Sequence, residues 1–570
     1  MKVYEALADA FLDEEVECVF GLLGDANLQW WSALSKRGAR MLSARHETAA
    51  VAMADGYAQA TGSVGVATVT CGPALVHAAT PITAASRARV PLVIFAGDTP
   101  PAALGNPQDI DHRRVAEMCE AGFVQVRSPA TVADDVRTAF FRARTESKPI
   151  VLNVPMDLAR QECAGDWRYE SSLTLTRPRQ RRMPDPTSCA AVADLIAGAQ
   201  RPVVLAGRGA MASRARSSVL AVAERIGAVL ATTMPAKGWL DEDEFALGVV
   251  GPLSSAIGQE LFAEADLVVA VGASLDRYTM SDGGAPFPKA RVVSIASESA
   301  IRSGCQVPDL HLNGDADASL RALLHLLGER RFANDGYRTT ETRDRIAASV
   351  AAVQPATHDG APLDPRTAMH VLEKYLGERD DVVVGCGHFL SFVGMHLRRP
   401  VGGHFFWSHY FGSIGYALPM GIGIAAARPD RRVTVIEGDG SIMMALPELE
   451  SAARLGLDLR VVVINDQALG AEMHKLRAIG LDPADAHLPT PDFGAVARVL
   501  GGTGDLVTDA EGLALSLDRY ADGWSGLHVI DVRTDRNVLS EMYQKLHFGQ
   551  KHQAPHQRLP VTGDSAPEPR

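Results

Sequence analysis

VTVIEGDGSIMMALPELESAARLGLDLRVVVINDQALGAE, residues 433–472, is the stretch that decides the fold. Apolar residues at 433–436 predict a buried strand, which Gly438-Asp439-Gly440-Ser441 ends. A helical pattern follows, and a second apolar strand at 459–464 ends in Asn465-Asp466. This order is typical of a βαβ unit. Both strand ends then emerge at the same edge of a parallel sheet, where open α/β sheets bind ligands.

The polar residues at these strand ends indicate a metal-bridged diphosphate. Gly440 and Ser441 begin the predicted helix, where free N–H groups and the helix dipole favour phosphate oxygens. Two phosphates would repel Asp439 unless a hard divalent cation lay between them, and magnesium prefers such oxygen ligands. A Gly-Asp-Gly turn by itself is usually an ordinary turn, so the hypothesis depends on the second polar pair, Asn465-Asp466.

The two motifs together resemble the thiamine-diphosphate signature of the pyruvate decarboxylase and acetohydroxyacid synthase superfamily, and the resemblance covers nearly the whole chain. It implies that the side chains of Asp439 and Asp466 and the carbonyl of Ala468 bind Mg²⁺. The family carries an asparagine where this chain has Asp466, which puts the ligand at that position in question. The resemblance also implies that diphosphate and thiamine contacts come from a set of residues in the same domain: Gly387, His388, Gly412, Ile414, Gly440 and Ser441.

A second motif, RHETAAVAMADGYAQATG at 45–62, is similar to the family segment whose glutamate bonds the pyrimidine ring of the cofactor. The resemblance implies that Glu47 binds the cofactor and is catalytic. In the family this glutamate and the metal-binding aspartate come from different subunits. We therefore expect a homodimer or homotetramer with the active site at the subunit interface. Ile414, between Gly412 and Gly415, occupies the position of the large apolar residue that lies under the two cofactor rings.

The residues expected to contact the substrate resemble two different subfamilies. FGLLGDANL at 20–28 resembles pyruvate and indolepyruvate decarboxylases, which implies a catalytic role for Asp25. Glu472 matches the decarboxylase glutamate that donates a proton after CO₂ is lost. The adjacent histidine pair of those decarboxylases is missing, and Gln108 lies in a loop similar to the synthases and lyases, where the glutamine faces the cofactor. Five histidines lie beside the motifs and are candidates to replace the pair: His46, His77, His112, His388 and His474.

These observations favour a thiamine-diphosphate- and Mg²⁺-dependent decarboxylase of a 2-oxo acid that releases or transfers the aldehyde unit. An alternative is an acetolactate synthase-like carboligase or a 2-hydroxyacyl-CoA lyase-type C–C lyase with an acyl-CoA substrate. A further alternative is a non-catalytic cofactor-binding paralogue, which the intact Glu47 disfavours. Ala471 is smaller than the residue common in relatives, and this favours a substrate bulkier than pyruvate.

Alternating strands and helices predict an α/β protein with three doubly wound parallel-sheet domains. We place a pyrimidine-binding domain at 1–168, a central domain at 189–340, a diphosphate-binding domain at 362–540 and a tail at 541–570. The turn Gly207–Ala212 looks like a dinucleotide fingerprint, a weak signal on its own. Two features of flavin-binding relatives are altered here, one of them to Gly251-Pro252, so FAD is not favoured but also not excluded.

Composition limits the partners. The net charge is −12, which argues against nucleic acid as a general partner. No apolar run approaches the ~20 residues that span a bilayer. Seven scattered cysteines without a CxxC pair are typical of a reducing compartment. We expect a cytoplasmic enzyme that acts on a small molecule and contacts neither nucleic acid nor a membrane.

Overall fold

Three six-stranded sheets, each entirely parallel, make up the fold. The structure is a computed structural model that describes residues 1–163, 167–176, 181–280, 285–297, 306–328, 335–351, 362–398, 403–520 and 525–548. The predicted α/β class with three doubly wound sheets is confirmed. Among the described helices, none combines the length and the apolar character that crossing a membrane requires.

The first sheet has the strand order β2-β1-β3-β4-β6-β5. Its strands are β1 Cys18–Gly21, β2 Arg40–Ser43, β3 Gly65–Val69, β4 Leu92–Asp98, β5 Gly122–Gln125 and β6 Pro149–Pro155. The helices around it are α1 Val3–Asp13, α2 Leu28–Lys36, α3 Glu47–Thr61, α4 Pro73–His77, α5 Ala79–Ala88, α6 His112–Met118, α7 Val132–Glu146 and α8 Met156–Ala159. A 3₁₀ turn, Ser172–Thr174, follows.

The second sheet has the order β12-β11-β10-β7-β8-β9. Its strands are β7 Pro202–Ala206, β8 Val229–Thr232, β9 Ala246–Val249, β10 Leu267–Val271, β11 Arg291–Ala296 and β12 Leu310–Asn313. Its helices are α9 Pro186–Ala197, α10 Arg208–Ala212, α11 Arg216–Ile226, α12 Ala256–Glu264, α13 Arg277–Met280, α14 Ala316–Gly328 and α15 Thr340–Ala351, with a 3₁₀ turn at Met234–Ala236.

The third sheet has the order β14-β13-β15-β16-β18-β17. Its strands are β13 Asp380–Val384, β14 Phe405–Trp407, β15 Arg432–Gly438, β16 Leu459–Asn465, β17 Thr503–Val507 and β18 Leu527–Arg533. Its helices are α16 Pro365–Glu373, α17 Phe389–His396, α18 Ala417–Ala427, α19 Asp439–Met444, α20 Glu448–Arg454, α21 Gly470–Ala478, α22 Phe493–Val499, α23 Ala510–Arg519 and α24 Glu541–Tyr543. Short turns lie at Ala484–Ala486 and Gln544–Phe548.

The βαβ unit predicted around Asp439 is present, with one difference in its helix. The single predicted helix is two helices, α19 and α20, separated by Ala445, Leu446 and Pro447. Proline lacks the N–H that a continuous helix needs and its ring crowds the preceding turn, so the helix restarts after it. The two flanking strands, β15 and β16, are buried along almost their whole length, as expected for central strands of a parallel sheet.

The first and third sheets share one topology. Numbered within its own domain, each follows the order 2-1-3-4-6-5, so each changes direction between its first and third strands. That switch point is where open α/β sheets form their ligand crevice. The chain therefore has one such crevice after β1 and β3, and a second after β13 and β15.

Helices α3 and α18 join the first and third domains through a very close backbone approach. A Cβ at Gly56 would overlap the Met420 carbonyl, and a Cβ at Gly423 would overlap the Met53 carbonyl. The buried Tyr416 hydroxyl donates to Asp55 Oδ2 at 2.7 Å across the same contact. One continuous apolar core extends through both domains as a result.

Candidate active site

The ends of β15 and β16 bring two carboxylates together at the third sheet's crevice. Asp439 is 3% exposed, and its Oδ2 has no hydrogen-bond partner among the described residues. Burial, together with the charge of Asp466, raises the pKa of Asp439 to about 7. Burial raises the pKa of Asp466 to about 6. The main cause of both shifts is burial, which disfavours the charged form of a carboxyl group.

The loop after β16 fixes Asp466 firmly. Its Oδ1 accepts a hydrogen bond from the Ala468 N–H at 3.0 Å. Gly470 packs directly on the same side chain, since a Cβ at that position would overlap Asp466 Oδ2. A buried, unpartnered carboxylate oxygen beside a second carboxylate fits a hard divalent cation, because oxygen ligands of this kind suit magnesium.

The turn that begins α19 positions the residues predicted to contact the cofactor. Gly440 and Ser441 lie in its first turn, as expected. Ser441 Oγ accepts a hydrogen bond from the Gly415 N–H at 2.8 Å, which ties this turn to the loop that contains Gly412 and Ile414. Gly412 and Gly415 have φ angles of +75° and +78°, a conformation that favours glycine.

Glu437, immediately before the metal motif, is a buried residue that the sequence interpretation missed. Its Oε1 accepts from the Ala417 N–H at 3.1 Å at the start of α18, and burial raises its pKa to about 7. Gly385 packs against the same carboxyl group. An acidic residue inside the apolar run of β15 was the signal available in the sequence.

Gly387 and His388 follow β13, on the other side of the crevice, and His388 is buried. The Ser540 N–H donates to His388 Nε2 at 3.2 Å. The ring also lies 4.4 Å from that of His474 and 4.8 Å from that of Tyr543, measured between centroids. Burial holds the pKa of His388 well below its ordinary value, so the ring is neutral. This contact with the C-terminal segment was not predicted, and the expected cofactor contact of His388 stays a prediction.

Glu472, in the first turn of α21, is exposed. Its Oε1 accepts from Lys475 Nζ at 3.3 Å, a surface ion pair that constrains the side chain only weakly. Burial is the main reason why the pKa of Cys386 is raised to about 12. The negative charge of Glu472 also acts on this thiol, so the two residues lie close together. Glu472 thus lies beside the β13 end of the crevice.

In the first domain, Glu47 is the first residue of α3. His77, at the end of α4, lies 3.2 Å from Glu47 Oε2 through its Nδ1. The Thr48 hydroxyl donates to the His77 carbonyl at 2.7 Å, which fixes the two helices relative to each other. His46 caps α3 by accepting from the Thr48 N–H, and its ring stacks on that of His77 at 5.0 Å. Of the five candidate histidines, His77 has the most direct contact with a predicted catalytic group.

Asp25 and Gln108 lie around the turn that follows β3. Gln108 Oε1 accepts from Cys71 Sγ at 3.3 Å, and the Gln108 backbone packs on Gly72, whose φ is +57°. The charge of Asp25 reaches the Cys71 thiol as well. The decarboxylase-like aspartate and the synthase-like glutamine therefore both lie near the Cys71-Gly72 turn.

His112 supports this turn from inside the protein and is not available to a substrate. It is buried, its Nε2 accepts from the Gly72 N–H at 3.0 Å, and its Nδ1 lies 2.7 Å from Asn153 Oδ1. Both ring nitrogens are therefore occupied.

The predicted site residues thus form two groups, which we call half-sites. The N-terminal half-site contains Asp25, Glu47, His77 and Gln108. The C-terminal half-site contains Gly387, His388, Gly412, Ile414, Asp439, Gly440, Ser441, Asp466, Ala468 and Glu472. Among the described residues, no hydrogen bond or ion pair joins a member of one half-site directly to a member of the other, although the Arg45 N–H, two residues before Glu47, donates to Glu448 Oε1 of α20 at 2.9 Å.

Comparison with known families agrees with this geometry. Residues 1–117 match the N-terminal TPP (thiamine pyrophosphate) binding domain of thiamine pyrophosphate enzymes, residues 189–323 their central domain, and residues 385–532 their C-terminal TPP binding domain. The chain belongs to the thiamine pyrophosphate (thiamine diphosphate) enzyme family, so it is a thiamine-diphosphate-dependent enzyme.

The chain is similar to relatives with different activities. It is 30% identical over 523 residues to an acetolactate synthase large subunit of Parasynechococcus marenigrum, covering 89% of this chain and 83% of the relative. It is 29% identical over 540 residues to a probable 2-ketoarginine decarboxylase of Pseudomonas aeruginosa, covering 93% of each. It is 27% identical over 554 residues to a sulfoacetaldehyde acetyltransferase of Alcaligenes xylosoxydans xylosoxydans, covering 91% of this chain and 90% of the relative.

Proposed function

We propose that this enzyme is a Mg²⁺-dependent decarboxylase of a 2-oxo acid that releases or transfers the resulting aldehyde unit. One observation supports it above all. Exposed carboxylates, Asp25 and Glu472, stand at the carboxyl edges of the first and third sheets. Replacing CO₂ by a proton needs a proton-transfer group at the reacting carbon, and we expect Asp25 and Glu472 to take that role where the two half-sites meet. The 2-ketoarginine decarboxylase, which matches along 93% of each chain, is consistent with this reading.

Thiamine diphosphate, when bound, supplies the electron sink that stabilises negative charge on a carbonyl carbon. Asp439, Asp466 and the Ala468 carbonyl would hold the Mg²⁺ that neutralises the diphosphate. Glu47, oriented by His77, would hold a proton at the pyrimidine ring. Asp25 and Glu472 would hold the protons that the product aldehyde requires.

We further propose that the working enzyme is a homodimer or homotetramer in which Glu47 and Asp439 of one site come from two subunits. The separation of the site residues into two half-sites supports this arrangement. So do exposed apolar side chains on the loops and helices beside both half-sites. They are Leu23, Val76, Leu104, Phe411, Met443 and Met444, with Leu104 92% exposed. Apolar groups of this number and position are typical of a covered interface.

The alternative function is carboligation or C–C cleavage, as in an acetolactate synthase or a 2-hydroxyacyl-CoA lyase. Gln108 favours it, because this residue contacts Cys71 and lies in a loop that resembles that of the synthases. The similarity to an acetolactate synthase large subunit points the same way. For this alternative, the acceptor would be a second carbonyl compound or an acyl-CoA.

We expect that the central domain does not bind FAD. Its strand order is the one common in dinucleotide-binding domains, with the fingerprint turn at the switch point between β7 and β10. The glycines of that turn are needed for another purpose, however. The Gly209 N–H donates to the Gly272 carbonyl at 2.9 Å, and Gly207 packs on the same loop. Visible absorbance of the purified protein tests this point, because bound FAD is yellow.

We place the enzyme in the cytoplasm. The described cysteines are all free thiols, four of them buried, as expected in a reducing compartment. Fractionation of the producing cells tests the location.

Product analysis tests the function. Protein reconstituted with thiamine diphosphate and Mg²⁺ is offered a panel of 2-oxo acids, and separately acyl-CoA and aldehyde pairs, while CO₂ and products are followed together. CO₂ with free aldehyde supports the decarboxylase. Products with a new C–C bond, or cleavage without release of CO₂, would contradict the decarboxylase proposal and support the carboligase and lyase alternative. The panel includes side chains longer than that of pyruvate, because Ala471 leaves space beside Glu472.

A further inference from the structure

The metal site of this chain carries two carboxylates where the related signature has one carboxylate and one amide. Asp439 is 3% exposed, and its Oδ2 lacks a hydrogen-bond partner among the described residues. Asp466 is held beside it by the Ala468 N–H at 3.0 Å and by the close packing of Gly470. The pair is therefore pre-formed, and one oxygen of Asp439 is buried without a donor.

Charges of both signs act on the pair. Asp531 contributes a further negative charge that acts on Asp439. Asp531 is itself bonded by Asn465 Nδ2 at 2.8 Å and by the Phe493 N–H at 3.0 Å, so it is not free to bind a metal ion. The positive charge of Arg536 acts on Asp466 and offsets part of the repulsion. The Arg533 guanidinium lies 3.0 Å from Asp531 Oδ2 and offsets part of the negative charge of Asp531.

We propose that this pair binds the divalent cation without the diphosphate, so that the metal joins the protein first and thiamine diphosphate binds to the metal-loaded form. A site with one carboxylate and one amide offers the cation a single negative charge and relies on phosphate oxygens for the rest. Two carboxylates neutralise a divalent cation by themselves. Affinity of oxygen-ligand sites rises with the number of charged ligands, so we expect the second carboxylate to strengthen cation binding before the diphosphate arrives.

Direct binding of Mn²⁺ tests the proposal, with Mn²⁺ as a paramagnetic substitute for Mg²⁺. Protein stripped of metal and cofactor is titrated with Mn²⁺ at about pH 8, and free Mn²⁺ is measured by electron paramagnetic resonance. We expect one Mn²⁺ per chain, displaced by excess Mg²⁺, with an affinity at least ~10-fold higher than in the Asp466→Asn variant. With thiamine diphosphate present, Asp466→Asn should bind Mn²⁺ again, which also shows that the variant is folded.

Two control variants locate the ion. Asp482→Asn removes one charge from an exposed loop residue and should leave Mn²⁺ binding unchanged. His77→Ala removes a member of the other cluster with metal-ligand spacing, formed by His46, Glu47 and His77, whose ligand atoms lie within 4.8 Å of one another. Binding lost in His77→Ala but kept in Asp466→Asn would place the ion at that cluster and overturn the proposal.

The proposal would also be overturned if the wild-type protein bound no Mn²⁺ in the absence of cofactor. Equal Mn²⁺ affinities of the wild type and Asp466→Asn would overturn it as well. The measurement involves no substrate. The assembly order therefore stands or falls independently of whether the enzyme decarboxylates 2-oxo acids.

Discussion

Glu47 is held at the N-terminus of α3 by a residue that its own motif does not contain. His77 reaches it from α4, with Nδ1 3.2 Å from Glu47 Oε2, and leaves the other carboxylate oxygen clear of this contact. The RHE motif predicted the glutamate. The partner depends on how α4 folds back beside α3, and a pattern of nearby residues does not determine that.

Replacing His77 tests its positioning role. His77→Ala removes the ring that orients Glu47, and a hydrogen bond to a charged group is worth about 1.5–3 kcal/mol, so we expect kcat to fall roughly 10- to 100-fold. The exchange of the cofactor's C2 hydrogen for deuterium should slow by a similar factor, because that exchange depends on Glu47. Thiamine diphosphate affinity should change little.

His46→Asn is the matched control. It replaces the neighbouring stacked ring but keeps a side-chain acceptor for the Thr48 N–H. This variant should stay within about threefold of wild type, since a cap substitution between good capping residues is nearly neutral. If His77→Ala also exchanged and turned over at the wild-type rate, His77 would have no role in positioning Glu47.

His474 gives the fold a specific sensitivity to acid. The ring is 0% exposed, and burial lowers its pKa from 6.5 to about 4. Between these values the unfolded chain takes up a proton that the folded protein does not, so wild-type stability decreases as the pH falls from 6.5 towards 4. The loss amounts to about 2–3 kcal/mol.

The His474→Leu variant should lack this loss. Its free energy of unfolding, from urea titrations at several pH values, should fall less than that of wild type over the same range. His528, whose pKa burial also lowers to about 4, titrates in both proteins and cancels in the difference. Parallel pH curves for the two proteins would show that His474 does not carry this acid sensitivity.

At the scale of elements, the α3–α18 contact fixes the relation between the first and third domains. Gly56 and Gly423 allow the two backbones to touch, and their Cβ positions are blocked by the Met420 and Met53 carbonyls. The reason for glycine at these two positions became visible only when the helices were packed together. The same is true of Gly207 and Gly209, whose fingerprint spacing reflects packing on the Gly272 loop.

A methyl group at Gly56 should weaken the packing of α3 against α18. Gly56→Ala forces the α3–α18 backbones apart, and overpacking of this kind costs about 1–3 kcal/mol, so the melting temperature should fall by several degrees. Gly198→Ala is the control, because its φ is −87° and the nearest other atoms to its Cβ lie 3.7 Å away. That change should stay within about 0.5 kcal/mol of wild type. Equal stability of the two variants would contradict a tight α3–α18 contact.

Across the whole molecule, sequence patterns predicted most central strands but missed the edge strands and the buried central strand β18. The strands predicted at 433–436 and 459–464 lie within one or two residues of the observed bounds of β15 and β16. The six edge strands β2, β5, β9, β12, β14 and β17 were not predicted. They have three to five residues each, and one-sided burial at a sheet edge leaves little apolar pattern to detect.

The same limit applies to the candidate site. Motifs predicted which residues lie at strand ends, and the shared 2-1-3-4-6-5 order of the first and third sheets places them at two switch points. The sequence alone does not show which half-sites meet across a subunit interface. The central claim of the proposed function is that the two half-sites of one active site come from two subunits. The domain boundaries 1–168, 189–340, 362–540 and 541–570 also remain predictions.

Mixing two inactive variants tests this claim most directly. Glu47→Gln and Asp439→Asn are each expected to lose most activity, since each damages a different half-site. After subunits are exchanged in a 1:1 mixture, half of the dimers carry one copy of each variant, and one of their two sites is intact. The account predicts recovery of about a quarter of wild-type activity. If the mixture stays as inactive as its components although mixed dimers form, each site is built within one subunit and the account is wrong.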